Sequence, residues 1–139
     1  MLNTRQVLLV EDDNVDAMTV KRSLLDLGAG TRLIHSSSGQ EALEYLANPG
    51  NEMPCIILLD LNMPGMSGKE FLKTVKADDK LKKIPVIVLT ASKKDRDIME
   101  SYELSAAGYI KKSVDYTQFF EAMKTLYAYW SLSRLPETI

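Results

Sequence analysis

The segment CIILLDLNMPGMSG, residues 55–68, joins a short apolar run to an acid and a turn. Residues 55–59 are continuously apolar rather than alternating, which is typical of a strand buried on both faces of a parallel sheet. Asp60 follows this run directly, and Pro64 and Gly65 supply turn chemistry a few residues later. We therefore predict a central strand that ends in a carboxylate at the carboxyl end of a sheet.

Similar apolar runs occur at residues 7–10, 85–89 and, more weakly, 107–110, and residues 31–36 are rich in strand-forming side chains. Between these runs, apolar residues recur at spacings of three and four, as they do across residues 17–27, which predicts amphipathic helices. Strands that alternate with helices favour a parallel sheet with right-handed crossovers. We expect an α/β fold of three layers, (βα)5, with a doubly wound parallel sheet in the flavodoxin-like strand order 2-1-3-4-5.

The composition excludes several classes of protein. The chain of 139 residues has the size of one domain, and its 45% apolar and 26% charged residues do not suit a disordered protein. Its net charge of −2 gives no overall attraction to nucleic acid or anionic lipid, and its one cysteine, Cys55, rules out an internal disulfide. No apolar run suits a membrane span or a signal peptide. We expect a cytoplasmic protein with no direct DNA binding and no membrane segment.

Polar side chains follow four of the predicted strands. Because sites in open α/β sheets form outside the carboxyl ends of the strands, these side chains are candidates for one shared site. In the order 2-1-3-4-5 the first and third strands are neighbours, so the carboxylates that follow them converge. The residues concerned are Glu11, Asp12 and Asp13 after the first strand, Asp60 after the third, Thr90 and Ser92 after the fourth, and Lys111 and Lys112 after the fifth.

Converging carboxylates need a cation beside them. Two like charges about 4 Å apart repel by roughly 4 kcal/mol near a protein surface. Since carboxylate oxygens are hard ligands and no histidine or cysteine cluster accompanies them, the pattern favours Mg²⁺ as the cofactor. Mg²⁺ commonly takes a further ligand from a phosphate, which a lysine and a threonine can also contact. The pattern indicates phosphoryl transfer, in which a carboxylate could itself become an aspartyl phosphate.

Taken singly, each of these residues also has a structural explanation. Asp12 and Asp13 could cap the next helix, and Asp60 could belong to the turn that follows it. Thr90 is a common type of strand residue, and Lys111 could be a solvated strand end. The shared site is favoured by the joint placement, because separate strand ends each supply a residue type that the same chemistry needs.

Four segments together resemble the receiver domain of two-component response regulators, of the CheY-like kind. They are residues 9–13, 59–68, 88–91 and 108–111, and the resemblance extends from residue 7 to about residue 130. It implies signalling by phosphorylation rather than an enzyme of its own. A weaker resemblance, over residues 127–136, is to the small stand-alone regulators associated with phytochromes.

The resemblance implies a role for each acid and for one amide. Asp60 matches the phosphoacceptor aspartate of the family. Glu11 and Asp12 match its acidic pair, with Asp12 as the more direct Mg²⁺ ligand and Glu11 acting largely through water. Asp13 would then be a flanking or capping acid, and Asn62 would offer its backbone carbonyl to the metal.

The resemblance also implies a phosphate-binding pair and a switch. Thr90 and Lys111 would hold the phosphoryl oxygens, and Tyr109 matches the aromatic residue that moves inward when Thr90 moves toward the phosphate. The family usually has proline after this lysine, often with a cis bond, whereas Lys112 follows here. Because a cis bond before a non-proline residue costs about 2.5–4 kcal/mol, we expect either a trans bond or tolerated strain at this point.

The implied organisation is that of a stand-alone response regulator. We expect a single receiver domain over residues 1–139, with its core at about residues 6–131, a short tail at residues 132–139 and no output domain. Such a protein would pass on its signal by binding a partner.

Three kinds of partner follow from this interpretation. A sensor histidine kinase or a phosphotransfer protein would phosphorylate Asp60, and a downstream protein, which the sequence does not name, would bind the surface remodelled by Thr90 and Tyr109. If Tyr129 and Trp130 cannot both face the core, the last helix would leave an aromatic surface for a homodimer contact.

Two other functions are compatible with parts of this pattern. A phosphatase of the haloacid-dehalogenase type also forms an aspartyl phosphate, but it uses a second aspartate two residues after the nucleophile as general acid. Asn62 stands at that position and cannot donate a proton as a carboxylic acid does. A receiver-like binding module that never accepts phosphate is disfavoured because its site would be expected to lose one of the residues Asp12, Asp60 or Lys111.

Overall fold

The structure, a computed structural model, describes residues 6–28 and 30–132. Within these residues, strands and helices alternate along the chain as the apolar runs predict. A single short 3₁₀ turn, Leu81–Lys83, interrupts the alternation before the fourth strand. The elements are β1 (Gln6–Val10), α1 (Asn14–Asp26), β2 (Arg32–Ser36), α2 (Gly39–Ala47), β3 (Ile56–Leu59), α3 (Gly68–Ala77), β4 (Val86–Thr90), α4 (Asp95–Glu103), β5 (Gly108–Lys111) and α5 (Tyr116–Leu132).

The five strands form one parallel sheet in the order β2-β1-β3-β4-β5. This confirms the predicted α/β fold and its flavodoxin-like strand order. β2, which lies within the stretch rich in strand-forming side chains at residues 31–36, is an edge strand of the sheet. Two registers matter for the site: Val10 pairs with Leu59, and Thr90 pairs with Lys111. The carboxyl ends of β1, β3, β4 and β5 therefore lie side by side.

Helices cover both faces of the sheet, and this explains why the central strands are continuously apolar. Every residue of β1 and β3 is buried. Because alternate residues of a strand point to opposite faces, Leu8 packs in a cluster with Phe71 of α3, whereas Leu9 packs in a second cluster with Val20 of α1 and Met123 of α5. These two hydrophobic clusters, one on each face of the sheet, hold the central strands in place. Residues of the site come directly after those strands in the chain.

The helices that follow β3 and β2 begin with hydroxyl caps. Ser67 and Glu70 form a reciprocal capping box at the start of α3, and the Ser38 hydroxyl accepts a hydrogen bond from the backbone N–H of Glu41 at the start of α2. The cap at α3 sets the direction in which the chain leaves the segment after Asp60.

The last helix separates its two aromatic residues of interest. Trp130 is buried against α1 and the sheet, whereas the Tyr129 side chain is 66% exposed. The two therefore do not both face the core. Leu132 is the final residue of α5, and the remainder of the predicted tail, residues 133–139, lies outside the described residues.

Candidate functional site

Three carboxylates converge at the carboxyl ends of β1 and β3. Backbone hydrogen bonds from Asp60 N to Val10 O and from Glu11 N to Ser36 O, both 3.0 Å, continue the sheet ladder into the loops that carry these acids. Carboxylate oxygens of Glu11, Asp12 and Asp60 lie within 4.8 Å of one another. Glu11 and Asp60 are buried, with 1% and 6% of their surface exposed, and Asp12 is exposed. The structure thus brings together the acids that were predicted to share a metal.

The neighbouring acid, Asp13, serves the helix. Its side chain accepts hydrogen bonds from the backbone N–H groups of Val15, at 2.8 Å, and Asp16, at 3.1 Å, and so caps α1. Because its carboxylate is bonded to the helix N-terminus, it stands apart from the cluster of Glu11, Asp12 and Asp60.

A lysine reaches this cluster from the end of β5. Lys112 Nζ donates to Glu11 Oε1 and, at 2.8 Å, to Asp16 Oδ2, and it lies 3.8 Å from Asp60 Oδ1. Its side chain is only 13% exposed. An ammonium held among these carboxylates offsets part of the repulsion between them and is placed to contact an anion arriving at Asp60.

The site lysine is therefore Lys112 and not the expected Lys111, which corrects the sequence analysis by one residue. Lys111 is exposed, and it is Lys112 that approaches Asp60. Alternate residues of an extended segment point to opposite faces, so Lys112 follows the direction of Ile110, which packs on the α1 and α5 side of the sheet. A bond from Lys112 N to Thr90 O, 2.7 Å, extends the ladder past the last strand residue.

The proline that usually follows the site lysine in this family is also absent here, but at the next position along the chain. Ser113, rather than Lys112, now occupies the position where the family usually has proline. No cis peptide bond occurs within residues 6–28 and 30–132, so the bond between Lys111 and Lys112 is trans.

The hydroxyl and aromatic residues lie at the ends of β4 and β5. Thr90 is fully buried, and its hydroxyl accepts a long hydrogen bond, 3.4 Å, from the backbone N–H of Ser92. Tyr109 is half-buried, and its hydroxyl donates to the Ser92 carbonyl at 2.8 Å. The loop after β4 is thus tied both to the strand that carries Thr90 and to the aromatic residue of β5.

An ion-pair network that the sequence did not reveal holds the same loop from the outside. Lys69 Nζ lies 2.6 Å from Asp97 Oδ1 and 2.9 Å from Glu100 Oε2, which joins α3 to α4. Asp97 also accepts a hydrogen bond of 2.5 Å from the Ser92 hydroxyl. The hydrogen bonds from Lys69 and Ser92 lower the pKa of Asp97. The Ser92 hydroxyl, which donates to Asp97, also accepts a hydrogen bond of 3.3 Å from the backbone N–H of Lys94.

A glycine allows α3 to begin directly beneath the phosphoacceptor candidate. A Cβ atom at Gly68 would collide with the backbone oxygen of Asp60 and would lie 2.5 Å from Cα of Leu61. The Gly68 N–H donates to the Leu61 carbonyl at 3.0 Å. The close approach of these two segments therefore requires glycine, and it fixes the backbone that carries Asp60.

Burial and ion pairing shift the pKa values of two residues of the site, Glu11 and Lys112. Burial raises the pKa of Glu11 to about 7, because removal from water disfavours the carboxylate. The hydrogen bond from Lys112 opposes this shift, and the charge of Asp60 adds to it. Burial also acts against the charged form of Lys112, but the bonds to Asp16 and Glu11 outweigh it, so the pKa of Lys112 is raised.

The donor set suits a hard divalent cation. Glu11, Asp12 and Asp60 offer carboxylate oxygens close to one another, and Asn62 lines the same surface cavity as these three acids and Lys112. Oxygen ligands of this kind, with an open side toward solvent, match the preference of Mg²⁺ for a few carboxylates together with water or phosphate.

The comparisons with known proteins agree with this geometry. Residues 7–124 match the family model of the response regulator receiver domain. The response regulator Rcp1 of Synechocystis is 35% identical over 128 residues, which covers 89% of this chain and 87% of Rcp1.

Two solved structures are similar over nearly the whole chain. The phosphorylated cyanobacterial phytochrome response regulator RcpA has a TM-score of 0.89 and 34% identity, and the alignment covers 95% of this chain and 98% of RcpA. The Mn²⁺-bound form of Rcp1 has a TM-score of 0.88 and 34% identity, and the alignment covers 96% of this chain and 99% of Rcp1.

The chain therefore belongs to the response regulator receiver domain family, whose members act in two-component signalling. The particular proteins that it resembles include phytochrome response regulators. Within the described part of the chain, none of the helices has the length and hydropathy that a membrane crossing requires.

Proposed function

We propose that this protein is a phosphorylation-dependent response regulator in which Asp60 accepts a phosphoryl group with the help of Mg²⁺. The convergence of Glu11, Asp12 and Asp60 beside the Lys112 ammonium supports this proposal most strongly. It combines a buried nucleophile, oxygen ligands for a divalent cation and a positive charge for the phosphoryl oxygens. The donor would be a sensor histidine kinase or a phosphotransfer protein.

In the proposed reaction, an oxygen of Asp60 attacks the phosphorus of a phosphohistidine or a small phosphodonor. A new O–P bond forms, the bond to the donor's leaving group breaks, and the leaving group takes the electron pair. Glu11, Asp12, Asp60 and the Asn62 carbonyl would hold Mg²⁺, which would supply positive charge against the phosphoryl oxygens. Lys112 contacts one of those oxygens as a point charge, and the Thr90 hydroxyl donates to another.

The signal would leave the site through the loop after β4. Movement of Thr90 toward the phosphoryl group would change the backbone at Ser92, to which Tyr109 and Asp97 are both bonded. The surface formed by α4 and β5 would then differ between the two states. A downstream protein that prefers one surface would read the change, with a coupling free energy of typically 1–3 kcal/mol.

We also propose that the chain acts as a single receiver domain and that α5 takes part in a homodimer contact. The exposed Tyr129 side chain, next to the buried Trp130, supports an aromatic contact surface at the end of α5. The similarity to RcpA and Rcp1 supports a phytochrome-type sensor kinase as the first donor to test.

The proposal is tested by incubating the protein with Mg²⁺ and acetyl phosphate and measuring its intact mass. We expect one added phosphoryl group, carried as an acyl phosphate that hydroxylamine removes. Asp60→Asn should abolish the addition, whereas Asp79→Asn, which changes a fully exposed acid on another surface, should retain it. Labelling that persists in Asp60→Asn would overturn the assignment.

The same experiment separates the other two functions. A phosphatase would release phosphate from many small esters in repeated turnovers. A receiver is phosphorylated once on Asp60 and loses the phosphoryl group only slowly by hydrolysis. A binding module would remain unlabelled with every donor.

A further inference from the structure

Lys112 has a carboxylate partner that lies outside the proposed metal cluster. Asp16, in the first turn of α1, accepts a hydrogen bond from Lys112 Nζ at 2.8 Å. Asp16 is 42% exposed, while the lysine is 13% exposed. The sequence pattern predicts no role for Asp16, because it precedes the regular apolar stripe of α1 and follows no strand directly.

The two other carboxylates near Lys112 belong to the metal cluster. The ammonium bonds Glu11 and lies 3.8 Å from Asp60, and both acids have oxygens in the group that could hold a cation. An ammonium and a divalent cation are both positive and cannot share these oxygens without strong repulsion. A cation that binds there therefore competes with Lys112 for these carboxylates and weakens the hold of Glu11 on the ammonium.

The ammonium then depends more strongly on an anion outside the cluster, because it is largely buried. A buried charge without a partner is costly, and of the three carboxylates that Lys112 contacts in the described residues, Asp16 alone is outside the cluster. From this geometry we infer that Asp16 is a positioning residue, which holds the Lys112 ammonium while a divalent cation occupies Glu11, Asp12 and Asp60. The inference rests on the metal site of the proposed function.

Two simpler effects of Asp16 must be distinguished from this role. Its charge could attract any cation at a distance, whatever Lys112 does. Its ion pair could also only fasten α1 to the segment after β5, in which case its loss would lower the unfolding temperature without changing cation affinity.

The test is a double-mutant cycle that measures the Kd for Mg²⁺ by isothermal titration calorimetry, without any phosphodonor. The full chain is compared with Asp16→Asn, Lys112→Met and the double variant, and circular dichroism checks that each is folded. Asp13→Asn is the matched control, since it removes a charge from the same rim, keeps an oxygen that caps α1, and has no bond to Lys112. Mn²⁺ binding, followed by electron paramagnetic resonance, gives an independent reading.

We expect Asp16→Asn to weaken Mg²⁺ binding by about three- to tenfold, the range for one charge-assisted bond at a partly exposed carboxylate. In the Lys112→Met background, where no ammonium needs a partner, the same substitution should change the Kd by less than about twofold. Asp13→Asn in the wild-type background should also stay below about twofold.

The remaining outcomes overturn the inference. Equal weakening by Asp16→Asn with and without Lys112 would show a distant charge effect, and a lower unfolding temperature with unchanged Kd would show a purely structural ion pair. If the wild-type chain binds Mg²⁺ and is phosphorylated while Asp16→Asn matches Asp13→Asn, only the role of Asp16 fails. If the wild-type chain binds no Mg²⁺, the metal site of the proposed function fails with it.

Discussion

The Nζ atom of Lys112 lies 3.8 Å from Oδ1 of Asp60, whereas the side chain of Lys111 is exposed. This difference between adjacent lysines gives the first prediction. Lys112→Ala should slow the labelling of Asp60 by acetyl phosphate by about 10²-fold, because it removes a charge that faces the transferring group. Lys111→Ala, the matched control, should stay within about twofold. The reverse order of the two variants would contradict the placement of the lysines.

The second prediction separates the roles of two adjacent acids. Asp12→Ala should weaken Mg²⁺ binding by about tenfold or more and leave stability nearly unchanged, because Asp12 is an exposed member of the metal cluster. Asp13→Ala should leave Mg²⁺ binding nearly unchanged and lower the stability by about 1 kcal/mol, because it removes the side chain that caps α1. Calorimetry measures the affinity, and urea unfolding measures the stability. Stronger loss of affinity in Asp13→Ala would mean that the acidic pair is displaced by one residue.

The third prediction concerns the dependence of stability on pH. The folded-state pKa of Glu11, about 7, is above its ordinary value of 4.5, so the folded protein binds more protons than the unfolded chain between these values. The stabilisation from protonated Glu11 is fully present below pH 4.5 and is lost as the pH rises through about 7. In metal-free buffer, the free energy of unfolding should fall over this window by on the order of 2 kcal/mol.

The Glu11→Gln variant should lack this part of the slope, because glutamine has no proton to lose. Glu44→Gln, a change at an exposed position of α2, should keep it. Urea unfolding at a series of pH values measures both, and an unchanged slope in Glu11→Gln would disprove the assignment to Glu11.

The fourth prediction follows from the close approach of α3 to the segment after β3. Gly68→Ala should destabilise the protein by more than about 2 kcal/mol, because the added methyl group collides with the backbone of Asp60 and Leu61. It should also slow labelling of Asp60, whose backbone must move. Gly50→Ala, at a loop position with a single neighbouring atom at 3.3 Å, should cost less than about 1 kcal/mol. Equal stability of the two variants would show that the contact at Gly68 is not restrictive.

The fifth prediction tests the network between α3 and α4. Lys69→Met should raise the pKa of Asp97 toward its ordinary value, because the hydrogen bond from Lys69 is the largest cause of its decrease. The amide resonances of Ser92 and Tyr109 should shift as well, since Ser92 is hydrogen-bonded to both Asp97 and Tyr109. Nuclear magnetic resonance measures the titration and the shifts. Lys73→Met, at an exposed position of the same helix, should leave them unchanged.

The sequence was sufficient to predict the fold and the meeting of the acids. Continuous apolar runs identify strands that are covered on both faces, and the order of those strands brings residues 11–13 and residue 60 to one edge. The choice of Glu11 and Asp12 from the first group comes from the resemblance to the receiver family. Because Glu11 and Asp60 directly follow the apolar runs, the end of each run shows which residue is the first polar one after β1 and β3.

The lysine and its partner depend on features that a single sequence does not reveal. β5 ends without a clear apolar boundary, so the choice between Lys111 and Lys112 depends on the face of the sheet toward which each side chain points. The contact of Lys112 with Asp16 depends on how α1 is inclined to the end of β5. The pairing of Lys69 with Asp97 joins two helix surfaces whose separation is set by packing rather than by spacing along the chain.

The burial of β1 and β3 has a consequence for the direction in which the protein can respond. Asp60 and the acids that accompany it follow β1 and β3, and Thr90 ends β4. These three strands are fully buried, whereas Tyr109 lies on the partly buried β5 and Lys112 directly follows that strand. Because Lys112 and Thr90 connect the site to the ends of β5 and β4, a displacement at Asp60 is transmitted toward that flank of the sheet. We expect α4 and β5 to rearrange while β2 and α2, on the opposite flank, stay as they are.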